Sequence, residues 1–413
     1  MATIDEIRKI RIKKLEAIKR AGVLPFPGKT RRSHQIIDVL KNFNSLTRLK
    51  EEIILSGRIR AIREHGGSVF FDIEDGAGLI QSYLKKNRIG ERKYKFFLDN
   101  FDIGDFVEVR GILFKTKKGE KTIEVADYKI LAKSLLSLPE KWHGLQDVEE
   151  RFRKRYLDLI FNQEIKKKFE IRTKIIQEIR AFLDKEGFLE VETPILQSIY
   201  GGARAKPFKT HFNALDIDLY LRISPELYHK RLLVGGFEKV YELGKCFRNE
   251  GIDRSHSPSY THLEFYWAYA DYKDMMKLTE RFLSAVVKKV FGKLTIEYEG
   301  KEINFKTPWP RIEFNQLLKK YTKINFEEIN LEALKKEAKK LGVEIPKGAG
   351  KTDVADEIYK KYCRPKIWQP TFVIHHPTGF QPLAKQLESE PKKLASFQLI
   401  VAGFELTNAF FRT

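Results

Sequence analysis

Arg248 and Glu250 stand two residues apart in CFRNEG, at the foot of what reads as a long antiparallel hairpin. Residues 240–246 alternate like a strand, Gly251 breaks the pattern, and residues 261–269 return as an aromatic-rich strand after a polar loop containing Pro258. Residues two apart on a strand project from the same face. The loop adds Arg254 and His256. A guanidinium grips phosphate oxygens in a two-pronged, charge-assisted way, so this Arg with a carboxylate and an imidazole nearby suits a nucleoside triphosphate. A surface ion pair has the same spacing, and spacing alone leaves both readings open.

Other signals bound the chemistry. The pair Gly201-Gly202 lets backbone approach a ligand closely. GAGK at 348–351 lacks the GxxxxGK[ST] spacing of a phosphate loop and reads as a turn. Two cysteines, Cys246 and Cys363, make neither a disulfide framework nor a zinc set, which fits a reducing cytoplasm. No apolar run is long enough to span a membrane and the N-terminus lacks a secretory signal, so the reading is cytoplasmic with no membrane partner. The surplus of 77 Lys and Arg over 56 acids favours a polyanion such as RNA, although surplus charge also serves solubility.

These residues need elements to carry them, and 413 residues suffice for two or three domains. The segment 1–50 holds thirteen Lys and Arg against four acids, and 4–20 reads as a basic helix with Ile12, Leu15 and Ile18 at helical spacing. That helix packs on its neighbour with a polar side toward RNA. Residues 53–131 give five short strand patterns with glycines at the bends, the outline of a Greek-key barrel of the OB type. Within it Phe70 and Phe71 alternate faces, so one packs inward and the other can offer a ring to an unstacked base, although both could equally serve the barrel core. A charged connector follows, then a long helix over 164–186 and the strand-like FLEVETPIL ended by Pro194. Residues 330–361 read as two short helices split by 346–350.

FRNEG, HSP and LEFYWAYADY closely resemble motif 2 of the class II aminoacyl-tRNA synthetases, and LYLRISPELYHKRLLVGGFEKVYELGKCFRNEG resembles the lysyl branch. The resemblance implies an α+β multidomain chain. Its parts would be a basic segment 1–50, an OB-fold anticodon-binding domain 51–137 and a linker 138–163. An antiparallel-sheet catalytic domain with flanking helices would fill 164–413, with an insertion at 310–368. It implies a lysine–tRNA ligase that uses ATP with Mg2+, binds tRNA(Lys), and forms a homodimer through the motif 1 region of the long helix. Carried over residue by residue, Arg248 is catalytic, and Arg248, Asn249, Glu250, His256 and Tyr260 bind ATP. Gly202, Glu226, Glu264, Tyr266, Asn408 and Phe410 bind lysine. The two ammonium groups of lysine must leave water, so each needs an anionic or strongly accepting partner. Arg58, Phe70, Gln81 and Glu120 contact the anticodon, and Glu405 with Gln398 holds the metal.

Departures from the pattern carry their own expectations. Gln398 stands where the family has a second metal-binding carboxylate, and Arg412 where it has a Glu that pairs with the substrate's ε-ammonium. Gln381 replaces a more usual Ser. No GxGxGxDR-like phrase of motif 3 occurs, so the chain reads as truncated before that motif. The alternative is a catalytically impaired synthetase fragment that binds tRNA.

Overall fold

A computed structural model describes residues 3–138, 147–203, 205–253, 256–381 and 383–411, which leaves Arg254, Arg412 and much of the connector outside the described residues. The chain divides into two units, Met1–Ile165 and Lys166–Thr413.

In the first unit, helix α1 (Ile4–Arg20) starts where Thr3 and Glu6 cap each other, each side chain accepting from the other's backbone N–H. Leu15 and Ile18 are buried as their spacing predicts, but Ile12 is exposed and Arg11 is buried in its stead. Arg11 donates to the carbonyls of Ile103, Ser134 and Leu136, while Lys14 pairs with Asp102 at 2.7 Å. A guanidinium satisfies three acceptors that an isoleucine would leave stranded, and that decides which side of the helix faces in. Two short helices that the sequence did not announce, α2 (Ile36–Lys41) and α3 (Phe43–Leu49), add Ile36, Val39 and Phe43 to the core of this unit.

Strands β1 (Ile53–His65), β2 (Ser68–Glu74), β3 (Leu79–Lys85), β4 (Phe106–Lys115) and β5 (Lys121–Ala132) close into a barrel in the order β1-β2-β3-β5-β4. Alternation sorts their side chains, so Leu55, Val69, Phe71, Ile73, Ile80 and Val109 fill the interior. Helices α4 (Lys86–Ile89) and α5 (Glu91–Asn100) lie between β3 and β4, and α5 contributes Phe97 to the same core. Helices α6 (Val148–Arg153) and α7 (Arg155–Phe161) follow, tied together by buried Asp158, which accepts from Arg151 and Arg155.

Helix α8 (Gln163–Lys185) leads to β6 (Leu189–Glu190), where two residues of the strand-like 188–196 pair with the hairpin, while Leu196 pairs in a separate sheet. Strands β7 (Leu196–Gln197), β8 (Lys209–Phe212) and β9 (Ile217–Leu221) form a small antiparallel sheet. Helix α9 (Glu226–Val234) precedes β10 (Lys239–Phe247) and β11 (Ser259–Trp267), which make the predicted hairpin, with β6 parallel to β10 on its far side. Helix α10 (Tyr272–Phe291) is started by Asp271 and Asp274 in a reciprocal cap. The hairpin β12 (Thr295–Tyr298) and β13 (Lys301–Asn304) follows.

Strand β14 (Arg311–Glu313) then opens onto helices α11 (Phe314–Thr322), α12 (Leu331–Lys340) and α13 (Lys351–Ile358). Phe314, Leu318, Leu334, Ala338, Val354 and Ile358 give these helices a shared core. Strands β15 (Thr371–Ile374), β16 (Ser396–Val401) and β17 (Phe404–Phe410) complete a sheet in the order β14-β15-β16-β17. Helix α10 lays Met276 and Val287 against Phe397 and Leu399 of β16. The whole is of mixed α+β content.

Candidate functional site

Directly opposed residues of an antiparallel ladder share a face. Register therefore gathers Glu242, Gly244 and Cys246 of β10 with Glu264, His262 and Tyr260 of β11, followed by Tyr266 opposite Val240. The opposed pair Glu242 and Glu264 would repel, and each is held by a separate set of donors. Glu242, 3% exposed, receives the Arg222 guanidinium, the Thr193 hydroxyl at 2.7 Å and His229 Nε2 at 3.1 Å. Burial pushes its pKa up, but the hydrogen bonds from His229, Thr193 and Arg222 outweigh that and hold it at about 2. Gly244 makes room for this pair: a Cβ there would lie 2.1 Å from an Arg222 nitrogen.

Glu264 accepts from Ser224 Oγ at 2.7 Å on one oxygen and from the Tyr266 hydroxyl at 2.7 Å on the other. Ser224 Oγ accepts in turn from the backbone N–H of Glu226 at 3.1 Å, at the start of α9. Gly202, at φ 86°, lies so close that a Cβ would be 2.7 Å from the Cβ of Glu226 and 3.0 Å from Ser224 Oγ. Four of the six residues expected around the amino acid, Gly202, Glu226, Glu264 and Tyr266, are thus in one place, with Ser224 joining them. Ser224 carries no sequence signal beyond its position two before Glu226. His262 Nδ1 stands 3.3 Å from Glu264 Oε1, and burial lowers the pKa of its ring. The His229 ring packs 4.9 Å from that of Tyr266, linking the Glu242 network to the Glu264 one.

Strand β10 ends at Phe247, so Arg248, Asn249 and Glu250 lie beyond the ladder rather than within it. Arg248 closes the hairpin through its N–H to Pro258 O, and its guanidinium stands 5.4 Å from the Tyr260 ring centre. Its Nε is buried without a hydrogen-bond partner among the described residues. Asn249 N donates to Lys206 O, and Glu250 accepts from Lys206 N at 3.3 Å, which ties the two residues to the loop after Gly202. His256 is exposed, with Nδ1 2.6 Å from Asp253 Oδ2.

Glu405, Asn408 and Phe410 stand on β17, in the other sheet. Asn408 Nδ2 donates to Glu405 Oε1 at 2.7 Å and Gln398 Nε2 to Oε2 at 3.3 Å. Gln398 thus presents its donor to Glu405. Glu405 is an exposed carboxylate, suited to a cation that brings most of its own ligands. No cluster of three His, Cys, Asp or Glu among the described residues could hold a metal alone.

The barrel presents a second surface. Register aligns Arg63, Phe70 and Tyr83 in one outward row and Asp72 and Gln81 in the next, with buried Thr122 beside Gln81. Arg63 makes a two-pronged pair with Asp72, and Thr122 Oγ1 donates to Gln81 Oε1 at 3.0 Å. That bond fixes the Gln81 amide and aims its N–H donors elsewhere. A cavity of about 410 Å³ is lined by Arg63, Asp72, Gln81, Glu120 and Lys121. Arg58 is not among them: its guanidinium lies 4.3 Å from the Phe106 ring centre.

The comparisons with known proteins concern the two parts of the chain. Residues 147–413 match the family described as tRNA synthetases class II (D, K and N), and 53–131 match the OB-fold nucleic acid binding domain. The lysine–tRNA ligase of Carboxydothermus hydrogenoformans is 46% identical over 409 residues, covering 98% of this chain and 83% of that protein. That of Thermotoga maritima is 44% identical over 411 residues, covering 98% and 82%. With a class II domain, an OB-fold domain and relatives of this identity over nearly its whole length, the chain belongs to the lysine–tRNA ligase family of the class II tRNA synthetases.

Proposed function

We propose that this chain activates L-lysine with ATP and transfers it to tRNA(Lys), with the Glu264 face as the lysine site. One observation carries the reading. Glu264 is held in place by two neutral hydroxyl donors, Ser224 and Tyr266, whereas the opposed Glu242 is bonded to the Arg222 guanidinium. A carboxylate ordered by neutral donors offers its charge to a substrate ammonium.

The reaction asks no nucleophile of the protein. The lysine carboxylate attacks the α-phosphorus of ATP and pyrophosphate leaves. A hydroxyl of the terminal tRNA ribose then attacks the acyl carbon, and AMP leaves. Positioning and charge neutralisation supply the rate. Arg248, with its unpartnered buried Nε, is the group to meet charge on the α-phosphate, and the Tyr260 ring below it supports the adenine. Glu250 accepts from the adenine amino group, Asn249 lies beside it, and His256 approaches the outer phosphates. Glu226 takes one ammonium of lysine and Glu264 with Tyr266 the other. Gly202 lets backbone close over the substrate, and Asn408 and Phe410 complete the site from β17. ATP arrives with its Mg2+, and Glu405 is the carboxylate that would share the ion, with Gln398 beside it.

Arg58, Phe70, Gln81 and Glu120 are assigned to the anticodon, with Phe70 as the stacking ring. A homodimer forms through the stretch from α8 to β9, where Phe169, Leu196, Ile199, Phe212 and Leu215 are exposed. No helix of the described residues is long and apolar enough to cross a membrane, and we place the protein in the cytoplasm. The test is charging of tRNA(Lys) with each of the twenty amino acids in turn. Charging with lysine alone is expected, and charging with any other amino acid in preference overturns the assignment.

A further inference from the structure

His229, on α9, is fully buried and touches both carboxylate networks of the hairpin. Its Nε2 lies 3.1 Å from Glu242 Oε2, and its Nδ1 is buried without a hydrogen-bond partner among the described residues. Glu242, held at about 2, is ionised and can only accept, so Nε2 carries a proton and donates. The ring is tethered through that bond. Its anchor is itself fixed: the Arg222 guanidinium that grips Glu242 also donates to the carbonyls of Thr193 and Lys245, and the Thr193 hydroxyl donates to Glu242.

The neighbour of the ring decides what this anchorage does. The His229 ring centre lies 4.9 Å from that of Tyr266, with the planes at 51°. Two side-chain torsions separate a tyrosine hydroxyl from its backbone, and a fixed ring packed against it restricts both. The Tyr266 hydroxyl donates to Glu264 Oε2 at 2.7 Å, from two residues further along the same strand face. A turn of the Tyr266 ring takes the hydroxyl off Oε2 and lets the carboxylate rotate.

We propose that His229 is a positioning residue for the amino-acid site. It carries the rigidity of the Arg222–Glu242 pair to Tyr266, and Tyr266 holds the Glu264 carboxylate in the orientation that receives a substrate ammonium. A carboxylate already in that orientation binds more tightly, because less ordering remains to be done on binding. This role rests on the reading of Glu264 and Tyr266 as lysine-binding residues, and the experiment separates the two.

The measurement is the Kd of L-lysine for the full chain by isothermal titration calorimetry, with the Kd of ATP and the melting midpoint alongside. In His229→Gln the amide nitrogen takes the place of Nε2 and still donates to Glu242, while the ring against Tyr266 is gone. That variant is expected to weaken lysine about tenfold, leave ATP within about twofold and keep the midpoint. Tyr266→Phe alone is expected to weaken lysine about tenfold. Adding His229→Gln to Tyr266→Phe is expected to change lysine by less than about twofold more, because the ring acts through the hydroxyl already removed.

If Tyr266→Phe weakens lysine but His229→Gln leaves it within about twofold, or weakens it equally with and without Tyr266→Phe, the positioning role is wrong and the lysine site stands. A lowered midpoint in His229→Gln, with lysine and ATP weakened together, makes His229 a support of the fold alone and also overturns the role. If the wild type binds no lysine, or Tyr266→Phe changes nothing, the lysine reading falls and the role with it.

Discussion

Glu242 and Glu264 face each other across the hairpin ladder on the same side, and they differ in what holds them. Glu242 is bonded to the Arg222 guanidinium, Glu264 to two hydroxyls. Like charges in this arrangement repel, and the buried Arg222 guanidinium offsets the charge of Glu242.

Removing the charge of Glu242 leaves Arg222, 2% exposed, without its counter-ion. Glu242→Gln is expected to cost about 3–5 kcal/mol, read as a lower unfolding midpoint by circular dichroism. A midpoint equal to wild type would show that the pair does not support the hairpin.

The same pair sets an acid limit. Glu242 is held at about 2 rather than its ordinary 4.5, so its contribution to stability is fully present above about pH 4.5 and is lost as pH falls toward 2. Thermal melts between pH 5 and pH 3 should show a drop that is smaller in Glu242→Gln than in wild type. Parallel losses in the two proteins would assign the acid sensitivity to other groups.

His262 gives the lysine site its own pH dependence. Burial lowers the pKa of the ring, the Glu264 charge partly offsets this, and Arg248 and Arg222 lower it further. Cys246 and Tyr260 also border the ring, and burial raises the pKa of both, so they stay neutral through this range. Below the ordinary His value of 6.5 the ring takes up a proton, pairs with Glu264 and competes with the substrate ammonium. KM for lysine should rise as pH falls below 6.5, with kcat changing less, and His262→Gln should flatten the rise. An unchanged KM profile in that variant would remove His262 from the lysine site.

Phe70 and Phe71 separate binding from stability. Phe71 is fully buried in the barrel core, and Phe71→Ala is expected to cost about 3–5 kcal/mol. Phe70 lies on the outer row, and Phe70→Ala should leave folding nearly intact while weakening tRNA by about 1–3 kcal/mol. Equal loss of folding in both variants would make Phe70 a core residue.

What the sequence made legible follows physical range. The strand pattern of 240–246 and the glycine-punctuated strands of the barrel are local and appear as β10 and the barrel, while the return strand expected at 261–269 runs two residues earlier, over Ser259–Trp267. The Arg222–Glu242 pair joins residues 20 apart, and Thr193 reaches the same carboxylate from 49 residues away, so no local spacing announces either. Arg11 escaped for another reason. An Arg among apolar neighbours reads as solvent-facing, and only the carbonyls of Ile103, Ser134 and Leu136 draw it inward. Helices α2 and α3 were hidden because six or seven residues are too few to show a helical period. Gln381, which stands where the family more often has Ser, has a buried Oε1 without a hydrogen-bond partner among the described residues.

Lysine-dependent ATP–pyrophosphate exchange, compared between wild type and Glu264→Gln, tests whether Glu264 is the carboxylate that receives the substrate. Gln keeps the size and one acceptor oxygen, removes the charge, and puts an N–H donor where the other oxygen was. Loss of about 100-fold or more in kcat/KM for lysine, with the melting curve unchanged, is predicted from losing one ionic partner of a desolvated ammonium. Exchange within about twofold of wild type would mean that lysine is held elsewhere and that the opposed carboxylates of the hairpin serve the fold alone.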